Sequence, residues 1–311
     1  MKKLLVVVGP TASGKTAFAT EMAKARGGEL VSADSRQIYR HMDIGTGKDL
    51  SENLKFKISN LKLRGKEIGF YEENGLRIWG YDLVEPWEDF SVAQYIQIAR
   101  KIIRDIWKRG KLPILVGGSG LYIKGALEGI ETSDVPRNLA LRKSLETKGT
   151  GELFELLRAG DPVKAGGLNS SDRKNPRRLV RAIEVAKGSA KFPAKGWSAS
   201  GGKVQSVKLE YSEILILGLN VDRGDLDKKI EERVYERLKM GFEKEVKKLL
   251  KMGATWERQS MQALGYRQWG RYARGEISKE EAIERWIKEE QKYVKRQMIW
   301  FKRDKRILWY S

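Results

Sequence analysis

The stretch that decides the fold is Leu4-Leu5-Val6-Val7-Val8, which runs directly into Gly9-Pro10-Thr11-Ala12-Ser13-Gly14-Lys15-Thr16. Its first part is entirely apolar, a pattern typical of a parallel strand buried on both faces. Its second part matches the phosphate-binding loop pattern G-x-x-x-x-G-K-[ST], and residues 17–24 are good helix formers. A strand before this pattern and a helix after it are what the loop requires. The chain is therefore predicted to bind a di- or triphosphate.

The residue types in this loop suit an anion. Glycines let backbone N–H groups curl around a phosphate, and the following helix directs its positive dipole end at it. Lys15 supplies a point charge, and the hydroxyl of Thr16 is suited to Mg²⁺, so Thr16 is the predicted metal ligand. The predicted phosphate-binding set is Gly9, Pro10, Thr11, Ala12, Ser13, Gly14, Lys15 and Thr16.

The composition predicts a polyanionic partner. The 311 residues include 61 Lys and Arg against 41 Asp and Glu, a formal net charge of +20. Nucleic acid is the usual partner of so basic a chain, and a solubilising surface charge is the alternative. No cysteine is present and His41 is the only histidine, which excludes disulfides, thiolate metal sites and histidine-rich metal sites. The first apolar run is too short for a signal peptide or a membrane span, so we expect a cytoplasmic protein that contacts no membrane.

Two more predicted strands end in polar residues. Residues 28–34 lead into Asp34-Ser35-Arg36-Gln37, and residues 113–116 lead into Gly117-Gly118-Ser119-Gly120. Because the carboxyl ends of parallel strands face the ligand crevice, both segments are expected beside the phosphate loop. Asp34 could ligate Mg²⁺ indirectly, cap the next helix or act as a general base, and the sequence leaves these three roles open.

The order of these segments predicts an α/β fold in two domains. An amphipathic helix over residues 92–107 completes a βαβ unit. Residues 1–130 and 212–311 are predicted to form a P-loop core, a parallel sheet flanked by helices, with C-terminal helices over residues 225–252 and from 279 onward. Residues 131–211 are predicted to be an inserted, mainly helical domain.

The inserted region contains a basic cluster. Between Arg173 and Lys191, a run of arginines and lysines is opposed only by Glu184. Arg177 and Arg181 are spaced to share one face of a helix, a pattern typical of contacts with a phosphate backbone. A solvated helix face is the alternative.

Two further segments carry structural predictions. Residues 193–208 are rich in Gly, Ser and Lys, which predicts a mobile loop. Near the C-terminus, aromatic residues alternate with basic ones. Trp300 and Phe301 are predicted to be core residues, with base stacking as the alternative.

Six segments together resemble one family. They are GPTASGKT (9–16), SADSRQIYRHMDIGTGK (32–48), ILVGGSGLYIKGALEG (114–129), NPRRLVRAIEV (175–185), ALGYRQ (263–268) and KYVKRQMIWF (292–301). In this order they resemble the tRNA dimethylallyltransferases over nearly the whole chain. The resemblance implies transfer of a dimethylallyl group from dimethylallyl diphosphate to the N6 amine of the tRNA adenosine 3′-adjacent to the anticodon, position 37. It also implies that the phosphate loop holds the donor's diphosphate.

The resemblance assigns roles to individual residues. Asp34 would accept the proton from the amine, while Lys15 and Thr16 with Mg²⁺ would stabilise the leaving diphosphate. Ser119 completes the expected catalytic set, and Gln37 would hydrogen-bond the adenine edge. The expected contacts with the tRNA anticodon stem-loop are Asp34, Ser35, Arg36, Gln37, Ser119, Arg142, Arg177, Arg178 and Arg181. We expect the chain to act as a monomer.

The chain departs from the family pattern in three places. Gly47-Lys48-Asp49 stands where Ala-Lys-Pro is usual, and residues 80–84 lack a usual pair of histidines. The segment Ser51–Trp79 is unusually long. Its end, residues 69–79, predicts a β-hairpin around Asn74-Gly75 to which we assign no function.

Three other functions remain open from the sequence. A P-loop kinase of a small metabolite would use Lys15 and Asp34 but would leave the basic region without a role. Prenyl transfer to a free adenine nucleotide would not need so large a basic surface. An RNA-binding protein switched by a nucleotide would not need Asp34.

Overall fold

The structure is a computed structural model that describes residues 1–48, 50, 53–63, 65–130, 135, 137–191 and 209–310. The chain divides into two compact units. The first comprises Met1–Leu127 with Lys208–Ser311, and the second comprises Glu128–Val207. The predicted mobile loop over residues 193–208 lies outside the described residues. Among the helices described, none is both long and apolar enough to cross a membrane.

The first unit is built on a mixed sheet. Its described strands are β1 (Lys3–Val8), β2 (Gly28–Ser32), β3 (Lys55–Leu63), β4 (Lys66–Glu73), β5 (Leu76–Trp79), β6 (Leu112–Gly117), β7 (Glu213–Leu219) and β8 (Ile307–Tyr310). They lie in the order β3-β4-β5-β2-β6-β1-β7-β8. Neighbours from β5 to β8 in this order are parallel, whereas β3 and β4 are antiparallel additions at one edge. The predicted α/β fold is confirmed, and the predicted parallel sheet is its central part, from β5 to β8.

Helices flank this sheet and build the second unit. The described helices are α1 (Lys15–Arg26), α2 (Val92–Lys108), α3 (Gly120–Glu128), α4 (Leu139–Leu145), α5 (Thr150–Gly160), α6 (Pro162–Gly166), α7 (Ser170–Arg173), α8 (Pro176–Lys191), α9 (Arg223–Lys239), α10 (Phe242–Lys251), α11 (Tyr266–Ala273) and α12 (Lys279–Phe301). Helices α4 to α8 belong to the second unit.

Strand β1 is buried on both faces, as its sequence predicts. Leu4, Val6 and Val8 pack in the large core that includes α2, while Leu5 and Val7 pack against α1 in a second cluster. Burial of such side chains stabilises the fold by about 1.5–3 kcal/mol each. Because β1 and α1 are both held by packing, the loop that joins them is fixed at its two ends.

The predicted hairpin is confirmed. Strands β4 and β5 pair antiparallel around Asn74 and Gly75, whose φ angles are 49° and 79°. Positive φ at both central residues is what a type I′ turn requires. Strand β5 also pairs in parallel with β2, so this long segment extends the central sheet.

The C-terminal half differs from the prediction in three respects. The prediction of a single helix over residues 225–252 is wrong. Two helices, α9 and α10, are separated at Gly241, where φ is 102°. Strand β8, which pairs in parallel with β7, was not predicted. Phe301 is buried, but Trp300 is 39% exposed, so the prediction that Trp300 is a core residue is wrong.

Candidate active site

The phosphate loop joins β1 to α1. Ala12 and Gly14 have positive φ angles of 60° and 78°, a backbone conformation that is unfavourable for alanine and that clusters at functional sites. Lys15 and Thr16 are the first residues of α1, and Lys15 Nζ donates to the carbonyl oxygen of Pro10 at 3.0 Å. The loop therefore combines a helix N-terminus with a cationic side chain, as its sequence predicts.

A cavity of about 530 Å³ lies over this loop. We call it the P-loop cavity. Its floor is residues 11–17, and its walls include Asp34 and Gln37. Helix α9 forms a further wall. It contributes a stripe of cations spaced four residues apart, Lys229, Arg233 and Arg237, and the carboxylates of Glu232 and Glu236. Arg233 Nη1 donates to Thr11 Oγ1 at 3.2 Å, so α9 reaches the loop directly.

A second cavity of about 490 Å³ adjoins it. Its charged and aromatic lining residues are Asp34, Arg36, Arg237, Arg267, Glu289, Glu290, Tyr293 and Arg296. Four residues line both cavities, namely Thr11, Asp34, Thr46 and Arg237. The two cavities therefore meet at Asp34.

Asp34 follows β2 and closes a turn. Its Oδ1 accepts from the backbone N–H of Arg36 at 2.8 Å. No helix follows among the described residues 35–48, so Asp34 is not a helix cap. One carboxylate oxygen is thus held in place while the side chain faces both cavities.

Ser119 lies beside this turn. The buried Ser119 Oγ accepts from the backbone N–H of Ser35 at 3.1 Å, which ties the β6 end to the β2 end. Tyr293 of α12 lies beside both residues. Burial and the negative charge of Asp34 raise the pKa of Tyr293 to about 12, although a hydrogen bond with Ser119 acts to lower it. Asp34, Ser35 and Ser119 are thus brought together as predicted.

Gln297 of α12 links two loops of the site. Its Oε1 accepts from the N–H of Thr11 at 3.0 Å, and its Nε2 donates to the carbonyl oxygen of Gly118 at 2.9 Å. A C-terminal helix therefore fixes the phosphate loop against the β6 end. The sequence assigned no role to this residue, although it lies in the motif KYVKRQMIWF.

Residues 43–47 form a wall between the two cavities, with Thr46 lining both. The buried carboxylate of Glu245 accepts the N–H groups of Asp43, Ile44 and Gly45 at 2.8–3.1 Å. The buried Lys48 Nζ contacts Asp43 Oδ1 at 2.6 Å. This wall is therefore anchored by charged groups on both sides.

Gln37 is engaged within the protein. Its Oε1 accepts from Ser32 Oγ at 2.8 Å, and its Nε2 donates to the carbonyl oxygen of Gly47 at 2.9 Å. It lines the P-loop cavity.

In the second unit, most of the predicted tRNA contacts pair with carboxylates. Arg142 and Arg181 both bind the buried carboxylate of Glu184, and Arg178 pairs with Asp172. Burial acts to raise the pKa of Glu184, but hydrogen bonds from these two arginines and the backbone lower it to about 2. Arg177 is exposed and faces a surface groove with Lys174.

Several residues that line the two cavities were not predicted from the sequence. The α9 stripe was detectable, because cations at i, i+4 and i+8 share one helix face. Arg267 and Tyr293 lie in the motifs ALGYRQ and KYVKRQMIWF, but their place near Asp34 could not be predicted, since it depends on the packing of α11 and α12.

Family models match most of this chain. The model described as IPP transferase matches residues 37–304, and the model described as isopentenyl transferase matches residues 2–61. A tRNA dimethylallyltransferase of Thermoanaerobacter sp. (strain X514) is 39% identical, covering 99% of this chain and 91% of that protein. One of Carboxydothermus hydrogenoformans is 37% identical, covering 100% and 92%.

Solved structures with the same fold include two that are named for related activities. The full-length tRNA isopentenylpyrophosphate transferase from Bacillus halodurans has a TM-score of 0.66 at 32% identity, covering 100% of this chain and 90% of that one. A eukaryotic dimethylallyltransferase acting on tRNA has a TM-score of 0.76 at 23% identity, covering 97% and 70%. The second likeness supports the fold alone.

Proposed function

This chain belongs to the IPP transferase family, and from that premise we propose that it is a tRNA dimethylallyltransferase using dimethylallyl diphosphate as donor. The observation that carries the proposal is the meeting of two cavities at Asp34. One cavity has the phosphate loop as its floor, and the other is lined by arginines and a tyrosine. A donor with a diphosphate and an acceptor attached to a polyanion would enter from opposite sides and meet at a carboxylate.

The donor's diphosphate binds in the P-loop cavity. Loop N–H groups and Lys15 contact its oxygens, and Arg233 adds a guanidinium that already reaches Thr11. Arg233 forms no ion pair with a carboxylate anywhere in the described part of the chain, so its charge is available to the ligand. These groups stabilise the negative charge that develops on the leaving diphosphate.

The acceptor is the N6 amine of the tRNA adenosine 3′-adjacent to the anticodon, position 37. The nitrogen attacks the first carbon of the dimethylallyl group, so an N–C bond forms while the C–O bond to diphosphate breaks. The electron pair of that bond leaves with the diphosphate. Asp34 accepts the proton released from nitrogen, as a general base held by its turn. Because the base must reach a cavity, it is flipped out of the anticodon loop.

We propose that a Mg²⁺ ion would bind in the P-loop cavity together with the donor. The described residues hold no cluster of three or more acidic or histidine side chains suited to a metal. Thr16 and the half-exposed Asp43 both line the P-loop cavity and would supply oxygen ligands. Such a sparse protein contribution suits Mg²⁺, which takes most of its ligands from phosphates and water. Bound Mg²⁺ would neutralise charge on the diphosphate.

The tRNA contacts divide between the cavity and the second unit. Ser35 and Arg36 line the second cavity, and Ser119 bonds to Ser35. In the second unit, the exposed Arg177 contacts a tRNA phosphate. Arg142, Arg178 and Arg181 instead support the RNA-binding surface by pairing with Glu184 and Asp172. The contact of Gln37 with adenine stays a prediction. Because one chain lines both cavities, we propose a monomer, acting in the cytoplasm where tRNA is found.

The test is transfer of radiolabel from dimethylallyl diphosphate, with Mg²⁺, to three acceptors in parallel. Unmodified tRNA should become labelled, and the same transcript with guanosine at position 37 should not. Label in AMP but not in tRNA would favour prenylation of a free nucleotide. Hydrolysis of ATP with no transfer of label would contradict the proposal and would favour a kinase that binds ATP at the phosphate loop.

A further inference from the structure

Arg237 stands at the junction of the two cavities. It is one of the four residues that line both, together with Thr11, Asp34 and Thr46. It is also the innermost member of the α9 stripe, since Lys229 is exposed, Arg233 is half-buried and Arg237 is 6% exposed. A guanidinium is seldom buried this deeply without a strong anionic partner.

Glu290 is one of the partners of Arg237, and the hydrogen bond between the two side chains is long. Arg237 Nη1 lies 3.4 Å from Glu290 Oε1, whereas charge-assisted hydrogen bonds between these groups are usually about 2.7–2.9 Å. Glu290 is itself 7% exposed, and its other described bond, from Trp286 Nε1, is also long at 3.3 Å. The Arg237–Glu290 pair is therefore buried, and these two hydrogen bonds are long.

The same guanidinium leans over the P-loop cavity. A Cβ added at Gly47 would lie 2.7 Å from Arg237 Nη2 and closer still to Arg233, so both guanidinium groups pass over this glycine. Two like charges one helical turn apart repel each other unless an anion lies between them. Glu290 lines the second cavity and not the first, so the described carboxylate partner lies on the far side of Arg237.

We infer that Arg237 is a donor-binding residue that the diphosphate and Glu290 share. The inference rests on the proposed function for the identity of the donor. The reacting carbon must lie next to Asp34, so the phosphate oxygen bonded to that carbon lies at the junction, where Arg237 is. The bound diphosphate draws the guanidinium toward the P-loop cavity at the expense of its bond to Glu290.

Competition between Glu290 and the diphosphate predicts opposite changes in diphosphate affinity for variants of Arg237 and of Glu290. Removal of the guanidinium in Arg237→Gln should weaken binding of inorganic diphosphate, measured by calorimetry with Mg²⁺, by about tenfold. Glu290→Gln keeps the shape but removes the competing charge, so it should tighten diphosphate binding by about threefold or more. In the double variant the tightening should disappear, because no guanidinium is left to release.

Controls separate this role from a structural one. Arg223→Gln and Glu284→Gln make the same charge changes at exposed positions of α9 and α12, and should leave the affinity for diphosphate within about twofold. Arg237→Lys keeps the positive charge but lacks the planar guanidinium, so its affinity for diphosphate should lie between those of wild type and Arg237→Gln. Thermal unfolding of each variant shows which proteins are folded, and the double variant leaves no buried charge unpaired.

Three results would overturn the inference alone, and a fourth would overturn the proposed function with it. Arg237→Gln could bind diphosphate as tightly as wild type. Alternatively, Glu290→Gln could weaken diphosphate binding, as expected if the ion pair is purely structural. If Glu290→Gln tightens diphosphate binding equally in wild type and in Arg237→Gln, the carboxylate acts through its general electrostatic field and does not compete for Arg237. If wild type itself fails to bind diphosphate, the proposed function falls together with the inference.

Discussion

The phosphate loop and the arginine cluster of the second unit are both rich in groups that bind phosphate, but their charges are used differently. In the loop, Lys15 and the helix N-terminus face a cavity, and Arg233 adds to them from another helix. In the cluster, Arg142 and Arg181 face a buried carboxylate of their own unit. We propose that the first arrangement binds a ligand, whereas the second stabilises its unit and leaves exposed neighbouring arginines for RNA.

The largest effect is expected at the loop itself. Lys15→Ala should lower kcat/KM for transfer about 10³-fold, because it removes a point charge from the leaving diphosphate. Steady-state transfer of label to tRNA measures it. Lys24→Ala, at an exposed position of α1, should change kcat/KM less than about twofold. A loss below tenfold for Lys15→Ala would show that the loop is not the donor site.

In the cluster, loss of the shared carboxylate should cost stability. Glu184→Ala removes the buried carboxylate that accepts from Arg142, Arg181 and the N–H of Asn138, which should destabilise the second unit by about 3 kcal/mol. Hydrogen exchange of the α8 amides measures this, with the exposed Glu155→Ala as control. Unchanged exchange with abolished tRNA binding would show that the arginines serve RNA first.

The same carboxylate predicts an acid dependence. Its folded pKa of about 2 lies below the ordinary value of 4.5, so its contribution is complete above pH 4.5 and is lost as the pH falls toward 2. A shift of this size corresponds to an upper value of about 3 kcal/mol. Urea unfolding at pH 6 and pH 3 should show a smaller difference in free energy for Glu184→Gln than for wild type. Equal differences would mean that the carboxylate is not paired.

The smallest effect is expected at an exposed arginine of the cluster. Arg177→Ala should weaken tRNA binding about threefold and reduce the slope of log K against log salt by about one, since it removes one phosphate contact. Arg158→Ala, exposed on α5, is the matched control. An unchanged salt slope would place the RNA contact elsewhere.

The sequence predicts features with fixed local geometry better than those set by packing. The loop, the Asn74-Gly75 turn and the buried β1 follow from residue type and spacing, and all three are confirmed. The arginine cluster was read from charge alone, which does not show that Glu184 would be buried among the arginines. Strand β8 and the cavity position of Tyr293 depend on contacts across the chain, to which no short-range pattern corresponds.

The central claim is that Asp34 acts as the base where the donor and acceptor cavities meet. Its most direct test is a single-turnover measurement on Asp34→Asn, with tRNA and dimethylallyl diphosphate both bound before Mg²⁺ is added. We predict a transfer rate about 10³-fold slower than that of wild type, with the Kd of tRNA and of diphosphate each changed by less than about threefold. A rate within tenfold of wild type, or a loss explained by weaker binding of either substrate, would contradict it.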